Sequence, residues 1–325
     1  MINRELIRIK VLQLVYAYYQ NSDKNLGKAE DDLKNSLSKA HELYYYLLYL
    51  IVTISKEMRH RYDIAFARAK REDKITPSPK FIDNRFALQL EENDTLREFV
   101  SHQKVMWEND FEFIMGLCNS IEQSAIYQEY MASEDDSYEN DREIWRKIYR
   151  TLIQDNDALD AILEEKSLYW NDDKAIIDTF VIKTLKQFNQ ENGSEQELLP
   201  KYKDSKDEDF AITLFRATLL NASKYQQYMD EVSKNWELER MPFMDVIIMQ
   251  IAIAEMITFD SIPISVTINE YVNLAKIYST RKSGSYINGL LDTIARQLVE
   301  QRIILKPMPD SKEQTNDTQE DFTNE

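Results

Sequence analysis

Three histidines and one cysteine are the residues of this 325-residue chain best suited to acid–base, nucleophilic or metal chemistry. His41, His60 and His102 are far apart in sequence, and none pairs with a cysteine or a second histidine at the spacing metal ligation uses. Surface or helix-packing roles are expected for all three. Cys118 lies in the apolar run Phe113–Ile121, the setting of a buried, unreactive thiol. Adjacent carboxylates such as Glu91–Glu92 and Asp135–Asp136 could share a proton. With 57 Asp and Glu in the chain, such pairs are expected anyway and carry no catalytic signal. No glycine-rich phosphate loop is present. The chain is therefore not read as an enzyme, and no cofactor or metal is expected.

Charge points to binding chemistry instead. The formal net charge is −17, which repels phosphate at long range and argues against promiscuous nucleic-acid binding. Charge is uneven, however. Glu91–Asp141 and the stretch after Pro309 are strongly acidic, whereas Arg4, Arg8 and Lys10, and again Arg281 and Lys282, are locally basic. A local patch can hold an anion on a globally acidic protein, because salt screens distant charges. A third basic stretch comprises Lys56, Arg59, Arg61, Arg68, Lys70, Arg71 and Lys74. Charge runs on helices are usually solvated faces.

These groups need elements to hold them, and the composition makes the elements helical. Five glycines and seven prolines allow few turns, while 43% hydrophobic residues suffice for a core. Residues 2–19 form an amphipathic helix with Leu6, Ile9, Leu12, Tyr16 and Tyr19 along one stripe, widened by Val11, Leu14 and Val15. One or two long helices are expected over residues 28–74, with a dense tyrosine–leucine run from Leu43 to Ile54. They end before Thr76-Pro-Ser-Pro-Lys80. Further helices are expected near 85–92, 95–103, 107–132, 141–165 and 173–190. Asn192-Gly-Ser194 is a break, and residues 201–208 a charged connector. The polar tail lacks the apolar residues to offset ordering entropy and is expected to be disordered. One cysteine, no leader-like segment and no span point to the cytoplasm.

The most specific pattern is near the end. Residues 241–259 are apolar around nearly the whole circumference, interrupted by Asp245, Gln250 and Glu255, which suits a central bundle helix. Pro263 marks a boundary, with Ser265 as expected N-cap. Ile268, Tyr271, Val272, Ala275 and Tyr278 then recur at helical spacing. Ser279–Gly284 breaks the pattern, and Ile287, Leu290, Leu291, Ile294 and Leu298 resume it. Gly289 falls inside that last helix, where close approach of another helix would explain it.

From Asp207 to Leu298 the sequence resembles the C-terminal part of the NusB family of transcription antitermination factors. The resemblance rests on Ile268-Asn-Glu270, Leu274-Ala-Lys276, the Ser283-to-Gly289 block ending Tyr286-Ile-Asn-Gly, and Asp292. Arg4, Glu5, Arg8, Gln13 and Tyr16 also fit the family's first helix. It implies an all-α helical bundle with a NusB-like C-terminal domain at 207–306 and a first helix at 1–20. Between them lies an expanded helical region at 21–206, and a disordered acidic tail follows at 307–325. The expanded region is read as added helices enlarging the N-terminal half, with an extra binding surface on its basic stretch as the alternative.

The resemblance further implies binding of boxA-type single-stranded RNA from ribosomal RNA leaders, together with a NusE-type small-subunit ribosomal protein. It implies a place in the RNA polymerase antitermination complex and in ribosome assembly. RNA contacts are expected at Arg4, Arg8, Lys282, Ser283 and Tyr286, and partner contacts at Asp245 and Glu255. Arginine offers a planar fork to phosphate, and an aromatic at a helix start can stack on an unpaired base. Where the family carries consecutive arginines, this chain has only Arg4 and Arg8, with Glu5 between them. Arg281 and Lys282 are therefore expected to carry more of the phosphate contact. The rival reading is a helical protein–protein scaffold that keeps the fold without specific RNA binding. No membrane association is expected, and whether the free chain forms a homodimer stays open. NusB-like domains also precede the catalytic domain of RNA cytosine methyltransferases. With the block at the end of this sequence, no such domain is expected.

Overall fold

The computed structural model describes residues 1–170, 172–232, 241–280 and 282–308. Arg281 and residues 309–325 of the expected acidic tail lie outside the described residues. The described elements are helical, and the β-type pairing among them is an isolated bridge between Ile2 and Tyr202. The chain divides into two compact units. A terminal unit takes residues 3–35 and everything from 204 onward, and a central unit takes residues 1–2 and 36–203.

In the terminal unit, α1 (Arg4–Gln20) starts at Asn3, whose side chain accepts from the Leu6 amide. The unit also contains α10 (Asp207–Leu220), α11 (Ala222–Val232), α12 (Phe243–Thr258), α13 (Ile264–Tyr278) and α14 (Ser283–Glu300). Pro242 caps α12 and Pro263 caps α13, where a missing amide proton costs nothing. Ser265, the expected cap, lies inside the first turn of α13. Helix α12 is buried nearly all round and is the axis of the unit: α1, α10, α11, α13 and α14 all contact it. The stripe of α14 is buried at Ile287, Leu290, Leu291, Ile294 and Leu298. Gly289 is exposed, and a Cβ there would meet nothing within 4 Å, so close helix packing does not explain it. The close approach is at Gly284, where a Cβ would sit 3.1 Å from Lys276 Cγ on α13.

The central unit receives most of α2 (Leu26–Arg71), a single 46-residue helix. No proline interrupts it before Pro77, and the tyrosine–leucine run is almost wholly buried. The expected 107–132 helix is two helices, α5 (Phe111–Gln123) and α6 (Ala125–Ala132), because the Ser124 side chain caps α6. α3 (Arg85–Glu92) and α9 (Lys174–Gln187) both pack on α7 (Tyr138–Ile148), and α4 (Asp94–Ser101) follows α3. The turn after α7 widens to π geometry at Tyr149–Ile153, and Asn156 restarts the chain as α8 (Asp157–Lys166). Aromatic contacts fill this core, among them Tyr46 with Trp107 at 4.5 Å and with Trp170 at 5.2 Å.

Candidate nucleic-acid interface

Glu255, on the last turns of α12, is fully buried and answered by four donors. Arg8 forks onto it from α1, with Nε to Oε2 at 2.8 Å and Nη2 to Oε1 at 2.9 Å. The Thr267 hydroxyl donates at 2.9 Å and the Tyr271 hydroxyl at 3.0 Å. The third guanidinium nitrogen of Arg8 donates to Glu270 at 3.1 Å. Burial alone would make Arg8 easier to deprotonate, but the hydrogen bonds and charge of Glu255 outweigh it and its pKa rises. Burial raises the carboxyl pKa of Glu270, against the opposing charge of Arg8. This bidentate, desolvated pair holds α1 to α12 and α13.

Arg4 lies one turn earlier on α1 and is different. Its side chain is 41% exposed, 3.6 Å from Asp207 and 5.0 Å from the centroid of the Phe210 ring. The guanidinium is oriented by α10 and still reaches solvent. Lys10 is buried. Of the three N-terminal cations expected as a basic patch, Arg4 is therefore the one with substantial exposure.

The other end of α1 meets the other end of α12. Tyr19 donates to Gln250 at 2.9 Å, and the Tyr16 and Tyr19 rings lie 6.0 and 5.9 Å from Phe243. The two helices thus run antiparallel. Ten residues separate Asp245 from Glu255, about 15 Å along the axis at 1.5 Å per residue.

At that end Asp245 sits buried in the first turn of α12 and accepts from the Ser283 hydroxyl at 2.7 Å. The Thr280 hydroxyl lies 2.8 Å from that of Ser283. Asp245 therefore locks the start of α14 to the start of α12, with Gly284 giving α14 its close approach to α13. The lock leaves Lys282 exposed and Tyr286 half-buried on the first turn of α14. Burial, and then the charge of Asp245, push the Tyr286 phenol pKa up, so it stays a neutral ring and donor. Asn288 and Gly289 continue the exposed strip.

The expected site residues thus separate into two kinds. Arg4, Lys282 and Tyr286 reach the surface. Arg8, Ser283, Asp245 and Glu255 do not: each is buried and partnered inside the unit. The expectation that Asp245 and Glu255 face a partner protein is corrected accordingly, because a carboxylate enclosed by helices cannot touch one. Sequence reading missed Thr267, Glu270 and Tyr271 as members of the Arg8 cluster. The signal was available, since a charged residue on an all-round apolar helix requires a buried counter-ion. It also missed Tyr16 and Phe243, at 39% and 45% exposure, as the accessible aromatics near Asp245.

The sequence model of the NusB family matches residues 179–296. The chain is 43% identical over 90 residues to the transcription antitermination protein NusB of Natranaerobius thermophilus, covering 28% of this chain and 65% of that protein. It is 32% identical over 127 residues to the NusB of Salinibacter ruber, covering 37% of this chain and 79% of the relative. With the NusB of Desulforapulum autotrophicum it shares 37% identity over 120 residues, 35% of this chain and 84% of the relative.

The chain belongs to the NusB family. No solved structure matches it. The family match begins inside α9 of the central unit, runs through α10 to α13 and ends within α14. It contains Asp245, Glu255, Glu270, Ser283 and Tyr286. The chain spans about two thirds of the length of the Natranaerobius NusB it matches. Most of the central unit lies upstream of the family match.

Proposed function

We propose that this protein is a transcription antitermination factor that binds boxA-type single-stranded RNA of ribosomal RNA leaders together with a NusE-type ribosomal protein, as part of the antitermination complex on RNA polymerase. The observation that carries the reading is the first turn of α14. Within the family-matched block, Lys282 is exposed and Tyr286 is half-exposed on a helix start pinned by the Asp245–Ser283 bond. A fixed helix start with a cation and an aromatic suits a phosphate and an unpaired base.

In this reading Lys282 and Arg4 contact phosphate and Tyr286 stacks. Arg8 and Ser283 are positioning residues that hold α1 and α14 in place. The NusE-type partner meets the α1–α12 surface through exposed Tyr16 and Phe243, not through the buried carboxylates. Exposed aromatics anchor protein interfaces better than enclosed charges do.

The scaffold reading has one observation in its favour. Arg8 is spent internally on Glu255, which thins the N-terminal phosphate clamp. Fluorescence anisotropy of a labelled boxA RNA, with and without the NusE-type protein and at two salt concentrations, separates the readings. Binding that tightens with the partner and is lost for a scrambled RNA supports antitermination. Partner binding without RNA discrimination supports the scaffold.

A further inference from the structure

The basic stretch at the end of α2 has no part in the reading above, and its geometry is that of a docking groove. Between Lys56 and Lys74 the sequence carries seven Lys and Arg against four Asp and Glu, a local excess of three on a chain whose net charge is −17. The last turns of α2 are largely exposed: Asp63, Ile64, Ala65, Ala67, Arg68, Lys70 and Arg71 all face solvent. Asp73 then takes a left-handed conformation (φ 50°), and the Lys74 amide closes on the Ala69 carbonyl at 2.9 Å. This reversal lays residues 74–77 beside the helix that precedes them and encloses a groove of about 510 Å³.

The floor of the groove is aliphatic: Ile64, Ala65, Ala69, Ile75 and Pro77. Ile64 is 58% and Ile75 98% exposed, which makes them among the most exposed large apolar side chains described. The rim is cationic, with Arg61, Arg68 and Lys74. Glu72 alone answers two of these, Arg68 at 3.0 Å and Lys74 at 2.8 Å. Arg61 is answered by Glu57 at 3.2 Å and Glu122 at 3.3 Å, so the unbalanced positive charge of the groove comes from Arg68 and Lys74, which share one carboxylate. Arg71 adds an exposed charge beside it.

We propose that the end of α2 and the 72–77 turn form a docking site for an acidic peptide segment of a partner protein, with an aliphatic side chain seated between Ile64 and Ile75 and its carboxylates on Arg68, Lys74 and Arg71. An aliphatic floor selects this occupant over single-stranded nucleic acid, which is gripped by aromatic planes beneath its bases. The nearest aromatics, Tyr62 and Phe66, are stacked on one another at 5.7 Å, and Lys70 already covers Phe66 at 4.7 Å. A short apolar anchor flanked by charges is also how linear segments commonly dock on helices.

The test uses the full chain and a fluorescein-labelled twelve-residue probe peptide of Leu, Asp and Glu, read by anisotropy. Controls are a Leu–Lys peptide and a single-stranded RNA of similar length. Micromolar binding of the acidic peptide is expected, weakening several-fold between low and physiological salt. A loss of at least ten-fold is expected in Ile64→Asp/Ile75→Asp and in Arg68→Glu/Lys74→Glu. All four positions are exposed, so circular dichroism should stay that of the parent. Failure of the acidic peptide to bind, or equal binding by both variants, overturns the proposal. So does RNA binding that the groove variants abolish, which would make the surface a nucleic-acid site. A sedimentation change in the groove variants without peptide binding would assign the groove to a second copy of the chain and overturn it likewise. None of these outcomes depends on boxA binding, which reads the terminal unit.

Discussion

Arg8 and Glu255 set the chemistry of the terminal unit at the residue scale. Four donors converge on one buried carboxylate, so neither charge is left without a partner. Such a pair contributes little beyond an apolar substitute when intact, but removing one member leaves a buried charge and costs about 3–5 kcal/mol. Arg8→Met and Glu255→Gln are each expected to lose stability of that order in urea unfolding. The double variant should lose clearly less than the sum, a coupling of at least about 1 kcal/mol. The same variant tests the positioning role. Arg8→Met, studied where it remains folded, should leave the salt dependence of RNA affinity unchanged. A phosphate-contacting arginine would reduce that slope by about 0.7.

His41 gives the central unit a pH dependence of known sign. Burial holds its pKa down to about 4 from the usual 6.5, although its Nε2–H donates to the Leu199 carbonyl at 3.4 Å. Its ring packs edge-on against Tyr45 at 4.7 Å. Below pH 6.5 the unfolded chain protonates this histidine and the folded chain does not. The contribution of neutral His41 is thus complete above pH 6.5 and is lost as pH falls toward 4. At 1.36 kcal/mol per pKa unit the loss approaches about 3 kcal/mol. Chemical denaturation between pH 7 and 4 should show it, and His41→Gln should flatten that part of the profile. Burial also pushes the Cys118 thiol up to about 12, and it should resist alkylation in the folded protein.

At the scale of elements, helix positions were legible wherever local signals agreed. The periodicity of α13 and α14, the proline boundary at 263, and the residue 85–92 helix all lie in the structure where the sequence puts them. Breaks within long apolar stretches were less legible. Ser124 and Asn156 cap new helices by side-chain bonds that a serine or asparagine forms only when the backbone already turns there. Burial of charge was least legible of all. Spacing places Arg8 on α1 and Glu255 on α12, but only the antiparallel pairing of those helices brings them together. The exposed Lys282 and half-buried Tyr286 and the enclosed Ser283 and Asp245 look alike in sequence for the same reason. Gly289 shows the cost of judging a glycine by its neighbours in sequence. It sits on an exposed helical face with open space around it, so Gly289→Ala should stabilise α14 by about 0.5–1 kcal/mol, raising the melting temperature. If the bare backbone beside Asn288 serves a ligand, the same variant will weaken RNA or partner binding. A gain in stability with unchanged binding would leave it no such role.

At the scale of the whole molecule, the proposed RNA binding would rest on few cations acting against the unfavourable field of a chain with net charge −17. Single-stranded RNA loses about 0.7 in the slope of log affinity against log salt for each phosphate neutralised. Three cations, Arg4, Arg281 and Lys282, therefore predict a slope near −2, shallow for a nucleic-acid binder. Arg281→Glu with Lys282→Glu should weaken boxA binding and bring the slope to about −1 or less. An unchanged slope would remove the α14 start from the RNA interface. The field itself is separable from the contacts. Residues 309–325 hold six Asp and Glu and one Lys, so deleting them moves the net charge from −17 to −12. Long-range repulsion acts on encounter and is screened within about 8–10 Å at physiological salt. The deletion is therefore expected to speed RNA association at low ionic strength, with the difference vanishing above about 0.2 M salt and the dissociation rate unchanged. A change in dissociation rate instead would mean that the acidic segment competes directly with RNA for the cations at the α14 start.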